Sequence, residues 1–260
     1  MNRRKRLGQH FLIDLNVIEF IVETAELNRK DAVLEVGPGY GSLTRLLAVK
    51  SGLVIAVEKD PRLYHILSAK MDGFQNVRLI EGDVFKVALP NFNKVVSSLP
   101  YSVSTKFLKW LLRKDFESAI LVLQREFAQK LVSQPGSKSY CKIMPLIRRE
   151  MDVEVVKHVP SKAFKPPPRV DSCIVKITRK THALNLDFQK FYEKMLNYLF
   201  SVKRKLAAPS VTRFALEIGL KGFHPPVGVK RVYELRVEEL EQIANSLYRL
   251  RCRREIDLDE

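Results

Sequence analysis

Apolar residues recur along the chain with two spacings, and the switches between them lay out the secondary structure. Leu12, Leu15, Ile18, Ile21 and Val22 fall three or four positions apart, so residues 12–27 are predicted to form an amphipathic helix. Short, largely apolar runs follow at 31–36, 53–57, 77–80, 93–97 and 118–123, which read as strands. The stretches between them at 41–50, 61–71 and 104–113 have helical spacing. In the last of these, Trp110 and the Phe107, Leu108, Leu111 and Leu112 cluster read as helix core. Strands alternating with helices predict an α/β domain, a parallel sheet with helices on both faces.

The alternation stops after residue 124. Residues 125–133 and 139–150 look helical, and 152–158 and 172–178 look like strands. A loop from Pro160 to Pro168 divides those strands, because three consecutive prolines continue neither a helix nor a central strand. From about residue 187 only helical signals remain, at 187–200, 210–218 and 236–249. These shifts predict two domains, 1–182 and a small α-helical domain over 183–260, with a fraying acidic tail after Arg254.

Composition narrows the function. The chain has 260 residues, 46% of them hydrophobic, enough for a real core. No apolar run nears the roughly 20 residues that span a bilayer, and no secretory leader follows the basic start, so no membrane role is expected. Cys141, Cys173 and Cys252 are scattered, which argues against a disulfide framework or a zinc site and for a reduced, cytoplasmic setting. His65, His158, His182 and His224 lack metal-ligand spacing, so no metal is expected. The net charge is +16, and residues 125–180 carry +8 of it. Such an excess suits a polyanionic partner, nucleic acid above all.

The chemistry gathers at predicted strand ends. Glu35-Val36-Gly37-Pro38-Gly39-Tyr40-Gly41 runs from the end of the first strand, and its Gly37 to Gly41 portion follows that strand and opens a helix. Its spacing is neither the Gly-x-Gly-x-x-Gly dinucleotide turn nor a P-loop. Gly37 and Gly39 nevertheless let the backbone approach a ligand closely. Glu58, at the end of the second strand, is placed to accept hydrogen bonds from ribose hydroxyls, and Asp83, after the third, from an adenine amine. Together these acids point to an adenosyl ligand.

Ser98-Leu99-Pro100-Tyr101 ends the fourth strand, and with it a series of motifs is complete: Gly8-Gln9-His10-Phe11-Leu12, Glu35 to Gly39, Glu58, Gly82-Asp83, Leu99-Pro100-Tyr101 with Ser104-Thr105, Gln124 to Ala128, and Phe164-Lys165-Pro166-Pro167-Pro168-Arg169-Val170-Asp171-Ser172. In this the chain resembles the small-subunit ribosomal RNA adenine dimethyltransferases and their archaeal and eukaryotic relatives, over roughly residues 8–175. The resemblance implies a Rossmann-like methyltransferase sheet. It implies transfer of two methyl groups from S-adenosylmethionine to the amine of each of two adjacent adenosines near the 3′ end of small-subunit rRNA. His10, Leu12, Gly37, Gly39, Glu58, Asp83 and Ser98 would line the cofactor site. The adenine amine is a poor nucleophile because its lone pair is delocalised into the ring. Acceptors such as the Leu99 carbonyl free that lone pair, while Tyr101 stacks on a base swung out of its helix.

Two departures stand out. The family has Asn where this chain has Ser98, a shorter acceptor. That change keeps open a second reading, an RNA-binding assembly factor with little catalysis. Leu99, where the antibiotic-resistance branch acting on large-subunit RNA has Ile, points away from that branch. DNA adenine methyltransferases carry Pro-Pro-Tyr or Pro-Pro-Phe instead. The family's basic stretch is present as Lys203-Arg204-Lys205, but Leu206-Ala207-Ala208-Pro209 follows it in an unfamiliar way. These bases, with Arg148, Arg149, Lys162, Lys165 and Arg169, are expected to contact RNA phosphates, and Arg3 to Arg6 to form an arm that orders on RNA. The expected partner is a pre-30S particle, met by a monomer.

Overall fold

The structure, a computed structural model, describes residues 9–180 and 185–259. Gly8, the arm Arg3 to Arg6 and His182 lie outside the described residues. In chain order, β1 is Phe11–Leu12, α1 Leu15–Thr24, β2 Ala32–Val36, α2 Ser42–Lys50, β3 Leu53–Glu58, α3 Pro61–Met71, β4 Val77–Glu81, β5 Lys94–Ser98, α4 Ser104–Leu111, β6 Ser118–Gln124 and α5 Arg125–Leu131. They are followed by α6 Ile143–Glu150, β7 Met151–Val159, β8 Phe164–Lys165, β9 Ser172–Arg179, α7 Leu186–Ser201, α8 Ala207–Glu217 and α9 Val237–Asp259.

Seven strands form one sheet in the order β4-β3-β2-β5-β6-β9-β7. The strands β4 to β6 of that series run parallel, and β9 is antiparallel to β6. The central parallel strands β2, β3, β5 and β6 are buried along most of their length, because helices cover both faces of the sheet, whereas the edge strand β4 is not. Ile18 and Ile21 of α1 and Leu47 of α2 pack with Val33, Val54, Val96 and Ile120 of the sheet. From β2 the chain proceeds to β3 and β4 on one side; from β5 it proceeds to β6 on the other. The order therefore reverses between β2 and β5, and the carboxyl ends of those two strands are where an open sheet of this kind leaves a crevice.

Chain folding divides the molecule into two compact units, Met1–Ala128 with Asp152–Lys180, and Gln129–Met151 with Thr181–Glu260. The break after Lys180 lies beside the expected boundary at 182. The difference is the segment 129–151, which joins the helical unit although the sheet strand β7 follows it. There α7 packs with α6, α8 and α9 through buried Tyr192, Met195, Leu199, Phe214, Leu240 and Ile243.

Several elements differ from the sequence expectation for local reasons. Helix α1 starts at Leu15 rather than 12, because Asp14 caps it by accepting from the Asn16 and Val17 amides. Leu12 is instead drawn into β1, which pairs with β8 inside the proline-rich loop (Phe11↔Lys165, Leu12↔Phe164). Helix α8 starts three residues early, at Ala207, and takes Pro209 into its first turn, where no amide partner is lost. The tail after Arg254 continues α9 as helix to Asp259. Trp110 is half-buried among Phe85, Phe92 and Phe107 rather than fully in the core.

At the amino ends of the strands, away from the crevice, Asp31 binds the Asn28 and Asn93 side chains and its carbonyl accepts from Gly52 and Leu53. A Cβ on Gly52 would sit 2.2 Å from the Arg29 carbonyl oxygen. Gly52→Ala is expected to lower stability in urea by about 1–3 kcal/mol by overpacking against backbone. Gly73→Ala, with open space around it, is expected to stay within about 0.5 kcal/mol.

Candidate active site

The glycine turn leaves β2 and runs directly into α2. All three of its glycines, Gly37, Gly39 and Gly41, have positive φ, a conformation that costs other residues energy. At Gly39 space is also short, since a Cβ there would lie 2.7 Å from the Phe11 ring. The turn is tied across the sheet by Gly37 N–H donating to the Val57 carbonyl at 2.9 Å. Glu58, buried at the end of β3, braces it further. One carboxylate oxygen accepts from Gly39 N at 3.2 Å and the other from Asp60 N at 2.8 Å. Burial pushes the Glu58 carboxyl up, opposed by these amides.

Asp83 stands after β4 and Gly82. It accepts from Phe85 N at 3.1 Å and pairs with the Lys59 ammonium at 2.9 Å. Its partial burial is outweighed by Lys59, the Phe85 amide and Lys106, so its carboxyl lies below the usual range. Asp83 is thus ionised, and Lys59, largely in water, is a weak competitor for it.

A cavity of about 140 Å³ opens at the reversal of strand order. Of the residues expected at the cofactor, His10, Leu12, Gly37 and Ser98 line it; Gly39, Glu58 and Asp83 do not. Glu35, Phe11 and Tyr40 line it as well. Glu35 was legible only as the start of the glycine motif. In the fold it is 2% exposed, and its Oε2 and the neighbouring Thr44 hydroxyl are buried without a hydrogen-bond partner. Burial raises its carboxyl to about 8, with the Glu58 charge adding to the rise and Thr44 opposing it.

Ser98, Leu99, Pro100 and Tyr101 leave β5 beside this cavity. Leu99 is buried, and Tyr101 opens a short 3-10 turn that leads into α4. The Tyr101 ring stacks against His10, with centroids 5.8 Å apart. Its hydroxyl bonds the buried Ser172 hydroxyl at 2.6 Å. Burial raises the phenol above its ordinary value, so it is neutral and suited to stacking, not to proton abstraction. His10 donates from Nδ1 to the Pro166 carbonyl at 2.8 Å. The segment 164–172 therefore holds both rings, His10 through Pro166 and Tyr101 through Ser172. Asp171 secures it by accepting from Ser161 N at 2.9 Å and pairing with His158. Ser172 is the functional neighbour that spacing alone did not single out, because it reaches Tyr101 only through the pairing of β9 with β6.

The basic candidates divide. Lys162, Lys165 and Arg169 are exposed on the proline-rich segment of the first unit. In the second unit Arg204 and Lys205 are exposed. Lys203 is half-buried, its ammonium donating to the Tyr140 carbonyl. The expectation for Arg149 is corrected. Its side chain is 11% exposed, pairs with Glu150 and Glu241, and lies 4.6 Å from the Phe188 ring centre. It is an internal strut, while Arg148 beside it is half-buried. Among the described residues, no group of His, Cys, Asp and Glu has the arrangement of a metal site, and no helix is long and apolar enough to cross a membrane.

Comparison with known proteins agrees with this geometry. The family model for ribosomal RNA adenine dimethylase matches residues 1–247. The chain is 38% identical over 251 residues to "Probable ribosomal RNA small subunit methyltransferase A" of Thermococcus sibiricus, covering 93% of this chain and 90% of that one. It is 42% identical over 204 residues to the protein of the same name in Methanopyrus kandleri, covering 78% and 73%. Among solved structures, the 23S rRNA methyltransferase ErmE superimposes with a TM-score of 0.70 at 30% identity, covering 91% of this chain and 99% of that one. A dimethyladenosine transferase from Plasmodium falciparum shares the fold with a TM-score of 0.78 at 24% identity, covering 92% and 98%.

Glu35 makes stability depend on pH. The folded chain keeps a proton on this carboxyl up to about pH 8, whereas the unfolded chain releases it near the ordinary carboxyl value of 4.5. Folding stability therefore falls as pH rises between those values, by up to about 1.4 kcal/mol per unit. Thermal unfolding of the unliganded protein from pH 5 to 8 is expected to show this decline, flattened in Glu35→Gln. Parallel curves for the two proteins would refute it.

Proposed function

The chain belongs to the ribosomal RNA adenine dimethylase family, and from that premise we propose the reaction its site performs: transfer of methyl groups from S-adenosylmethionine to N6 of adjacent adenosines near the 3′ end of small-subunit rRNA. The observation that carries this reading is the meeting of two strand ends. The glycine turn after β2 and the Ser98 to Tyr101 segment after β5 lie side by side where the strand order reverses. A donor on one and a target base on the other are then held within reach.

The residues present fit that donor. Glu58 is a buried carboxylate beside the turn, a Cβ at Gly37 would meet nothing nearer than Pro100 at 3.6 Å, and Glu35 keeps a buried oxygen without a partner. Leu12, Gly37 and Gly39 shape the backbone side of the site, Glu58 takes the ribose, and Asp83 takes the adenine amine of the donor. When bound, S-adenosylmethionine supplies a methyl group activated by its sulfonium. Tyr101, fixed by Ser172 and His10, stacks on the flipped target base, and Pro100 holds the turn that presents it. The Leu99 carbonyl and the Ser98 hydroxyl accept the two amine hydrogens and turn the nitrogen lone pair outward. No strong base is needed, because the proton becomes acidic once the nitrogen is alkylated.

Lys165, Arg169, Arg148, Arg204 and Lys205 contact rRNA phosphates, with Lys203 contributing what its bond to Tyr140 leaves free. The substrate is a pre-30S particle, met in the cytoplasm by a monomeric enzyme. Ser98, in place of the family's Asn, supports a second reading, an assembly factor of the same fold with weak catalysis.

Labelling of small subunits from an unmethylated strain, with mapping of dimethyladenosine, tests both. Two adjacent dimethyladenosines are expected. Ser98→Ala is expected to cut the rate about tenfold, the worth of one transition-state hydrogen bond, with donor affinity unchanged. Donor binding with no methylation of any subunit precursor would favour the assembly factor.

A further inference from the structure

From Lys94 to Lys114 the chain carries five cations and no acid. Lys106 and Lys109 stand on α4, and Arg113 and Lys114 on the turn that ends it. Lys106, Lys109 and Arg113 follow each other by three and four residues, so they share one face, opposite the buried Leu108 and Leu111. Lys106 and Arg113 are exposed, and Lys109 and Lys114 are half-buried. The next acids along the chain are turned elsewhere. Glu117 reaches back to Lys94 at 3.9 Å, and Asp115 acts on Arg179. Two of the cations rest on aromatic rings. The Lys106 ammonium lies 4.0 Å from the Phe85 ring centre, and also acts on Asp83, while Lys114 lies 4.9 Å from the ring centre of Trp110.

A lysine over a ring at the surface is held weakly, and a phosphate offers it a stronger, charge-assisted bond. The place of these cations in the chain says which phosphates. Helix α4 starts three residues after Tyr101, through the 3-10 turn that Tyr101 opens. From Lys106 to Arg113 the face extends about 10 Å along the helix axis, enough to follow a stretch of backbone. We propose that this face of α4 is an RNA-binding surface, taking phosphates of the strand that flanks the target adenosine. The inference rests on the rRNA reading above. It adds a surface in the first unit that is separate in sequence from the basic residues of the proline-rich segment and of the helical unit. A base swung out of its stack needs its neighbours fixed, and phosphate contacts fix register without reading sequence. An anionic membrane would ask for large apolar side chains exposed beside the cations, and α4 exposes none.

Trp110, half-buried at this face, is the chain's single tryptophan, so its emission reports on α4 directly. The full chain, saturated with S-adenosylhomocysteine, is titrated with a labelled, protein-free transcript of small-subunit rRNA. Trp110 emission and the anisotropy of the RNA are followed together, and the two signals are expected to share one midpoint. Lys106→Gln and Arg113→Gln are each expected to weaken binding about fourfold at about 0.15 M salt, and to lower the slope of log affinity against log salt by about 0.7. Affinity for S-adenosylhomocysteine is expected to be unchanged in Arg113→Gln. Lys50→Gln removes an exposed cation from the far end of α2 and is expected to alter neither RNA affinity nor slope. RNA binding that leaves Trp110 emission unmoved, or α4 variants no weaker than Lys50→Gln, would overturn the inference. So would a Trp110 response to phosphatidylserine vesicles and not to RNA. A wild type that binds no RNA at all would overturn the rRNA reading itself. Should a variant not fold, the wild-type emission decides alone.

Discussion

Two neighbouring parallel strands whose connections depart in opposite directions leave a gap above their carboxyl ends that neither connection covers. In this protein β2 and β5 are those strands, and nearly every functional feature hangs on their adjacency. The glycine turn can bend sharply into α2 because it lies over that gap. Ser98 to Tyr101 can stay irregular there without stranding backbone groups in a packed interior. The parallel pairing of β2 with β3 then brings Glu58 under the turn, and the pairing of β3 with β4 brings Asp83 alongside.

The gap also sets the electrostatics. Strand ends that point into a sheltered crevice carry their acids into low dielectric, where a carboxyl is stable only with donors around it. Glu58 finds its donors in the turn it braces, and Asp83 finds them in Phe85 and Lys59. Glu35 keeps one buried oxygen without a partner, and burial raises its carboxyl to about 8. The same logic explains a neutral Tyr101. The reaction asks for a flat ring and hydrogen-bond acceptors in fixed positions, and the buried Ser172 contact keeps that ring in place.

The helical unit uses its charges differently. Arg149 sits inside, between Glu150, Glu241 and the Phe188 ring, so a basic residue in a basic segment serves packing. Arg204 and Lys205 remain outward. A surplus of +16 announces a polyanionic partner without saying which of its charges meet that partner.

Local pattern by itself determined the seven strands of the main sheet, the helices between them and the ligand edge, because strands concentrate apolar and β-branched residues in short runs and helices demand their own period. It also determined the family, through the motifs at successive strand ends. Tertiary structure alone decided the rest. The β1–β8 pair and the His10 bond to Pro166 join residues more than 150 positions apart, and the His10 stack on Tyr101 joins a third segment to them; nothing in any one segment's own spacing encodes such a partner. The assignment of 129–151 to the helical unit, the withdrawal of Arg149 into it, and the unpaired oxygen of Glu35 are equally invisible in one dimension. Burial and hydrogen-bond satisfaction belong to the surroundings of a residue, and those surroundings exist only once distant parts of the chain have met.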